Sequence, residues 1–228
     1  MNLFPRAEHF ITADGSSTLI LPGLNEQYHS IHGAIQESNI VYIQNGFNYS
    51  EVADINILEI GFGTGLNCLL TYTSFINSKS CKSVNYTAIE PLPIPFDLLE
   101  KLNYKNEINS FKINDVFRQI HSSISNEKIQ ITDHFSFTLI SSTVQEFQDS
   151  EAKYDVIYFD AFGPDTQPEM WSFAIFEKMY SLLKPNGILV TYCAKGAVKR
   201  LLKSVGFKVE NLPGPPGKRE ITRGLKQI

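Results

Sequence analysis

Apolar positions along the chain fall into short runs bounded by turn residues, and the runs alternate between strand-like and helix-like spacing. Ile55, Ile57, Leu58 and Ile60 predict a buried strand. Similar runs predict strands at Val84–Ile89, Phe135–Ile140, Tyr154–Asp160 and Ile188–Tyr192, followed by Phe207–Leu212 and Glu220–Gly224. Helical patterns open at Leu66, run from Ile94 or Pro95 to Tyr104, and span Glu169–Leu183 and Gly196–Val205. Strands alternating with helices predict an α/β, doubly wound, Rossmann-like sheet. Upstream, Phe10–Thr12 and Thr18–Leu21 read as a hairpin about Asp14-Gly15-Ser16-Ser17. Tyr28, Ile31, Ala34, Ile35, Ile40, Val41 and Ile43 then suggest a helix over Asn25–Asn45 that Gly46 stops, either packed on the core or lying over the site as a lid. Residues 1–50 are therefore expected to form a hairpin-and-helix extension packed on a doubly wound domain of residues 51–228, the two making one structural unit.

The first central strand runs into Gly61, Gly63 and Gly65 at alternate positions. Glycines there let the backbone turn sharply and bring bare main chain against a ligand, with the amides of the following helix facing it. A dinucleotide fingerprint needs its third glycine one place later, where this chain has Leu66. Glu59, two residues before the first glycine, completes E-x-G-x-G-x-G, which favours S-adenosylmethionine. Glu90 ends the second strand, where folds of this kind place an acid for ribose hydroxyls. Thr143, with Glu146 at the capping-box position, reads as a helix cap that can also border adenine. Asp160 ends the run YDVIYFD before a Gly- and Pro-rich loop, as a catalytic candidate or as the cap of the next turn. Trp171 is open to two readings, a base stack or the core.

The 43% of hydrophobic residues can fill a core, and no run of 18 apolar residues interrupts the chain. The N-terminus lacks an apolar secretion segment, which predicts a soluble, cytoplasmic protein with no membrane partner. Three cysteines without a C-x-x-C pair and five dispersed histidines argue against metal. The net charge of −4 conceals an asymmetry: residues 184–228 carry ten Lys or Arg against two acids, a balance of +8, leaving −12 on the rest. That basic end is either a phosphate-binding face or simply solvated.

Five segments taken together, YHSIHGAIQES (28–38), LEIGFGTGLN (58–67), FDAFGPDTQPEMW (159–171), LLKPNGILVTYCAKGAVKRLLKSVGF (182–207) and GKREITRG (217–224), resemble the methyltransferase of the MnmC/MnmD family. The resemblance runs in order from about residue 18 to the end. It implies a class I S-adenosylmethionine-dependent methyltransferase fold. It also implies N-methylation of 5-aminomethyl-2-thiouridine at the tRNA wobble position, giving 5-methylaminomethyl-2-thiouridine. Two-domain members add an FAD-dependent oxidase, and the chain looks like the stand-alone form. A separate oxidase of that kind, or the upstream wobble-modification enzymes, would then be partners, beside tRNA held by segment 184–228. Carried over by position, Glu59, Gly61, Gly63, Gly65 and Asn67 match the cofactor loop, Glu90 the ribose acid, and Asp160 the acid of D-[AG]-F-x-P credited with catalysis. Lys218 and Arg219 match a basic K-R-E motif, and Tyr28, Phe162, Lys195, Lys199 and Arg200 join them on the substrate side. Relatives commonly read Gly-Asp where this chain has Ser142-Thr143, which leaves apolar sandwiching of the ring to carry adenine affinity. A methyltransferase for a small amine or another RNA base, and a polyamine synthase-like aminopropyltransferase, share the fold and stand as alternatives.

Overall fold

Strands buried on both faces need a layer on each side, and the central strands of this chain are of that kind. The structure, a computed structural model, describes residues 7–123, 125–149 and 151–227. Residues 1–6, on which the reading of the N-terminus partly rests, lie outside the described residues. In chain order the elements begin with β1 (Glu8–Ile11), β2 (Ser17–Leu21), β3 (Glu26–Gln27) and α1 (Ala34–Ser38), which continues as a π-helical turn over Asn39–Gln44. There follow β4 (Asp54–Ile60), α2 (Leu66–Asn77), β5 (Ser83–Ile89), α3 (Phe96–Leu99), α4 (Tyr104–Glu107), α5 (Ile113–Ser122), β6 (Lys128–Thr132) and β7 (Phe135–Ile140). The chain closes with β8 (Tyr154–Phe159), α6 (Phe173–Leu182), β9 (Leu183–Thr191), α7 (Gly196–Val205), β10 (Lys208–Pro213) and β11 (Glu220–Leu225).

The main sheet has the order β10-β11-β9-β8-β4-β5-β7-β6. Its five middle strands, β7-β5-β4-β8-β9, run parallel, and the strands outside them are antiparallel. Alternation along each strand sends residues to opposite layers. Ile55 and Ile57 of β4 and Val156 and Tyr158 of β8 face the layer of α1, α2 and α5, whereas Leu58, Ile60, Ile157 and Phe159 face that of α6 and α7. Strand order reverses between β4 and β8, because β5 and β7 build to one side and β8 and β9 to the other. Such a switch point opens a crevice at the carboxyl ends of the two strands. Glu59 pairs in register with Ala88 and Tyr158, so the glycine loop, Glu90 and Asp160 all emerge at that crevice.

Several elements differ from their sequence reading. The helix expected over Asn25–Asn45 forms only from Ala34. Glu26 and Gln27 pair with β2 instead, and the amide of Tyr28 donates to the Leu19 carbonyl, which ties this stretch to the hairpin. The helix expected up to Tyr104 is broken at Leu102-Asn103 into α3 and α4. The helix expected from Glu169 starts at Phe173, where the Ser172 side chain caps it, after a 3-10 turn over Pro168–Trp171. The Lys184–Gly187 turn is a bulge inside β9, with Asn186 at φ 64°, rather than a turn before it. Helix α5 and strand β6 add to the elements the sequence pattern predicts. Ile113, Val116, Phe117 and Ile120 give α5 a buried stripe at helical spacing, but it is followed by an edge strand with little apolar signal. No helix among the described residues is long and apolar enough to cross a membrane.

Candidate active site

The end of β4 dictates the floor of the site. Gly61 adopts φ +87°, and a Cβ there would stand 2.5 Å from the Asp160 carbonyl oxygen. Gly63 adopts φ +49°, where a Cβ would meet the Tyr28 ring at 2.9 Å. Only glycine lets the loop run this close to both neighbours. Above it opens a cavity of about 660 Å³ whose lining includes Tyr28, Gly61, Gly63, Glu90, Thr143, Asp160, Phe162 and Lys218. That volume suits a nucleoside-sized ligand.

Asp160 sits at the base of this cavity, one residue beyond β8. Its amide donates to the Ile60 carbonyl, which locks it beside the glycine loop. One carboxylate oxygen accepts the Tyr42 hydroxyl at 2.5 Å and the other accepts Asn67 Nδ2 at 2.8 Å. Burial pushes its pKa up to about 7, opposed by those two hydrogen bonds. A carboxylate poised near neutrality at the end of a central strand can exchange a proton with a bound amine.

Glu90, at the end of β5, accepts the Gly63 amide at 3.1 Å and the Leu92 amide at 3.0 Å. These bonds aim it along the cavity wall beside the loop, and burial raises its pKa. Thr143 and Glu146 exchange hydrogen bonds as a capping box around a single turn, with no helix after it, and both line the cavity. Tyr28 packs edge-on against Phe162 at 5.3 Å, making one aromatic wall. The Trp171 indole donates to the Phe162 carbonyl from the core, which decides between its two readings.

Other expected site residues stand elsewhere. Glu59 is fully buried, with its oxygens taken by Asn67 and Tyr86, so it lies behind the cavity wall and not in it. Asn67 lies behind the wall as well and reaches the cavity only through Asp160. Gly65 caps α2 in a left-handed conformation, against His121 and Phe62. Lys218 enters the cavity lining, where its ammonium pairs with Glu37 and lies 4.1 Å from the Tyr192 ring centroid. Lys195 pairs with Asp165, and Lys199 with Glu220 at 2.7 Å. Lys184 and Arg223 are also paired, and Lys226 donates to two carbonyls. Among the described residues, Arg200, Lys203, Lys208 and Arg219 are exposed cations of the basic segment without a carboxylate partner.

Four residues of the site escaped sequence reasoning. Tyr42 and Glu37 belong to the segment read as a helix either packed on the core or lying over the site as a lid. His29, buried and bonded to Thr64 at 2.6 Å, has its pKa lowered to about 3 by burial and by the Lys218 charge, so it is neutral. Tyr192 donates to the Ala161 carbonyl at 2.9 Å and holds the loop after β8 in place. Period-3.6 spacing at Glu37 and Tyr42 carried no mark distinguishing them from ordinary helix residues.

The chain is 28% identical over 210 residues to the tRNA 5-methylaminomethyl-2-thiouridine biosynthesis bifunctional protein MnmC of Pseudomonas fluorescens, covering 88% of this chain and 32% of that protein. It is 28% identical over 230 residues to the protein of the same name from Leptospira interrogans, covering 94% and 34%. The chain thus spans about a third of the length of these curated relatives. Among solved structures, MnmC2 from Aquifex aeolicus aligns with a TM-score of 0.75 at 23% identity, over 96% of this chain and 71% of that one. A spermidine synthase from Thermotoga maritima aligns with a TM-score of 0.61 at 14% identity, over 97% and 69%. Both share the fold. The sequence profile of S-adenosyl-L-methionine-dependent methyltransferases matches residues 106–227, more than half of the chain, from α5 through Asp160 to the end of β11. The chain belongs to that methyltransferase family.

Proposed function

We propose that the chain methylates the aminomethyl nitrogen of 5-aminomethyl-2-thiouridine at the tRNA wobble position, giving 5-methylaminomethyl-2-thiouridine. The observation that carries this reading is Asp160, a carboxylate with a pKa of about 7 at the base of a cavity floored by the glycine loop. The names of the relatives supply the nucleoside. Residues 51–228 act as the methyltransferase domain, and residues 1–50 complete its cavity through Tyr28 and Glu37.

The residues present fit S-adenosylmethionine. Bare backbone at Gly61 and Gly63, where a Cβ would clash, gives a cradle for its amino acid part, and Glu90 supplies an acceptor for ribose hydroxyls. Leu92, Val144 and Thr143 line the cavity and offer the adenine a mostly apolar seat in place of a carboxylate. Once bound, S-adenosylmethionine supplies a methyl group already activated by the sulfonium. What remains for the protein is alignment and charge. Asp160 accepts a hydrogen bond from the substrate amine, holds its lone pair in line, and stabilises the positive charge that grows on nitrogen. Only the neutral amine attacks, so the anionic form of Asp160 also receives the amine's proton or passes it to water. Tyr28 and Phe162 flank the entering base, and six lining carboxylates (Glu26, Glu37, Glu90, Glu146, Asp160 and Glu169) favour a cationic substituent over a neutral one. Arg200 and Arg219, with Lys195 and Lys199 as weaker contributors because they are paired, contact the tRNA backbone.

Transfer of labelled methyl to tRNA carrying 5-aminomethyl-2-thiouridine, followed by nucleoside mass analysis, tests this reading. The parent is expected to form 5-methylaminomethyl-2-thiouridine and Asp160→Asn is not. Methylation of a small amine with none of tRNA would move the substrate to that alternative, and full turnover by Asp160→Asn would remove Asp160 from the chemistry.

A further inference from the structure

Asp160 is gripped by groups that do not themselves line the cavity. Tyr42 is 1% exposed, projects from the π-helical turn, and packs its ring 5.2 Å from that of Tyr158. Its hydroxyl bond to Asp160, at 2.5 Å, has the length of a hydroxyl bonded to an anion. From the other side, α2 presents Asn67, whose single amide group gives one hydrogen to Glu59 and one to Asp160, both at 2.8 Å. Tyr86 holds the second oxygen of Glu59 at 2.9 Å. The side-chain Oδ1 of Asn67 is buried on the far side of that amide. Turning the amide over would aim that oxygen at two carboxylates, so Glu59 and Asp160 fix its orientation.

We propose that Tyr42 and the Glu59–Asn67 pair are positioning residues that clamp the Asp160 carboxylate from two elements, leaving its remaining lone pairs directed at the substrate amine. This inference rests on the reading of Asp160 given above. It also reassigns Glu59 and Asn67, which the glycine motif and the family resemblance placed on the cofactor. They act on the chemistry through Asp160 and make no contact with S-adenosylmethionine. The charged and titratable groups facing Asp160 are Tyr42 and Glu37 from the N-terminal segment, Glu59 from β4, Tyr192 after β9, and Lys218 from the last loop. Tyr42 and Asn67 oppose the desolvation of Asp160, and Lys218 does so more weakly. With the hydroxyl gone, burial and Glu37 hold the proton on Asp160 to higher pH.

The test is Tyr42→Phe, which keeps the ring and its packing. In the ligand-free full chain, carbon-13 NMR follows the aspartate carboxyl carbons through a pH titration, and Asp160→Asn assigns the signal. The midpoint is expected to rise by about one pH unit, roughly a tenfold change in proton affinity. A midpoint that stays put, or falls, overturns the clamp. In the methyl-transfer assay the acidic limb of kcat/KM should move by the same amount. An NMR shift without that movement would reject the role of Asp160 in the reaction, while the grip on the carboxylate would stand. Glu59→Gln provides the second arm, read by calorimetric binding of S-adenosylmethionine. Affinity within about twofold of the parent is expected, and a tenfold loss would return Glu59 to the cofactor.

Discussion

The inside of the cavity and the outer face of the C-terminal segment carry opposite charge for opposite reasons. Inside, six carboxylates face a single lysine, and that lysine is already paired with one of them. Outside, the basic balance read from sequence shrinks in the folded chain, because Lys184, Lys195 and Lys218 pair with acids from the rest of the chain, while Lys199 and Arg223 pair with the segment's own Glu220 and Glu210. Exposed Arg200, Lys203, Lys208 and Arg219 remain, with Lys226 half-buried on two carbonyls. A polyanion can therefore touch the outer face but is repelled from the cavity, which admits only the part of it that carries positive charge. Under the proposed function, selection of the group to be methylated and retention of the nucleic acid would be separate tasks on separate surfaces.

The largest expected effect lies inside. Asp160→Asn should lower turnover by about 10²- to 10³-fold in the labelled-methyl assay, with S-adenosylmethionine affinity nearly unchanged. If affinity falls instead, the interior acid serves binding and the division of tasks fails. Next comes Glu90→Ala, expected to weaken the cofactor by roughly tenfold to a hundredfold in calorimetry, as for loss of charged hydrogen bonds. On the outer face, reversing Arg200, Lys208 and Arg219 to Glu together should leave cofactor binding alone and flatten the dependence of log affinity for tRNA on log salt by roughly 0.7–0.9 for each phosphate no longer neutralised. An unchanged slope would take the nucleic acid away from this face.

The smallest effect is on stability. The Asp160 pKa is raised from 3.8 to about 7 in the folded chain, so the folded state holds this proton more tightly than the unfolded one. Its carboxylate is harmless below pH 4 and increasingly unfavourable as pH rises to 7. Asp160→Asn should gain melting temperature relative to the parent across that window, on the order of 3 °C for each kcal/mol relieved. A gain that shrinks with rising pH would contradict the burial of this charge.

How much of this was legible in sequence follows from the kind of signal each residue sends. The strands β4, β8 and β9 read mainly as apolar runs, β5 and β7 alternate apolar with polar positions, and the residues at the strand ends, Gly61, Glu90 and Asp160, are placed by the parallel topology alone. The opposite wall of the cavity is different. Tyr28 and Glu37 of that wall, and Tyr42 behind it, come from a segment whose spacing suits one long helix, but pairing of Glu26 and Gln27 with β2 and the π-helical turn break that helix up. Those are tertiary choices, and periodicity does not encode them. Likewise the motif marks Glu59 as important, but only the positions of Asn67 and Tyr86 reveal that it is sealed from the cavity.

The last loop of the chain reaches the early segment directly, with Gly217 against the His32 ring and Lys218 against Glu37. Contacts between such distant positions are the slowest for a folding polypeptide to find, because the connecting loop must close before they repay its entropy. The central sheet makes its own pairings without the clasp between the two ends, which is expected to close after it. Ligand held under that clasp would bind the folded state alone, so it should slow the separation of the two ends and protect their amides from exchange together.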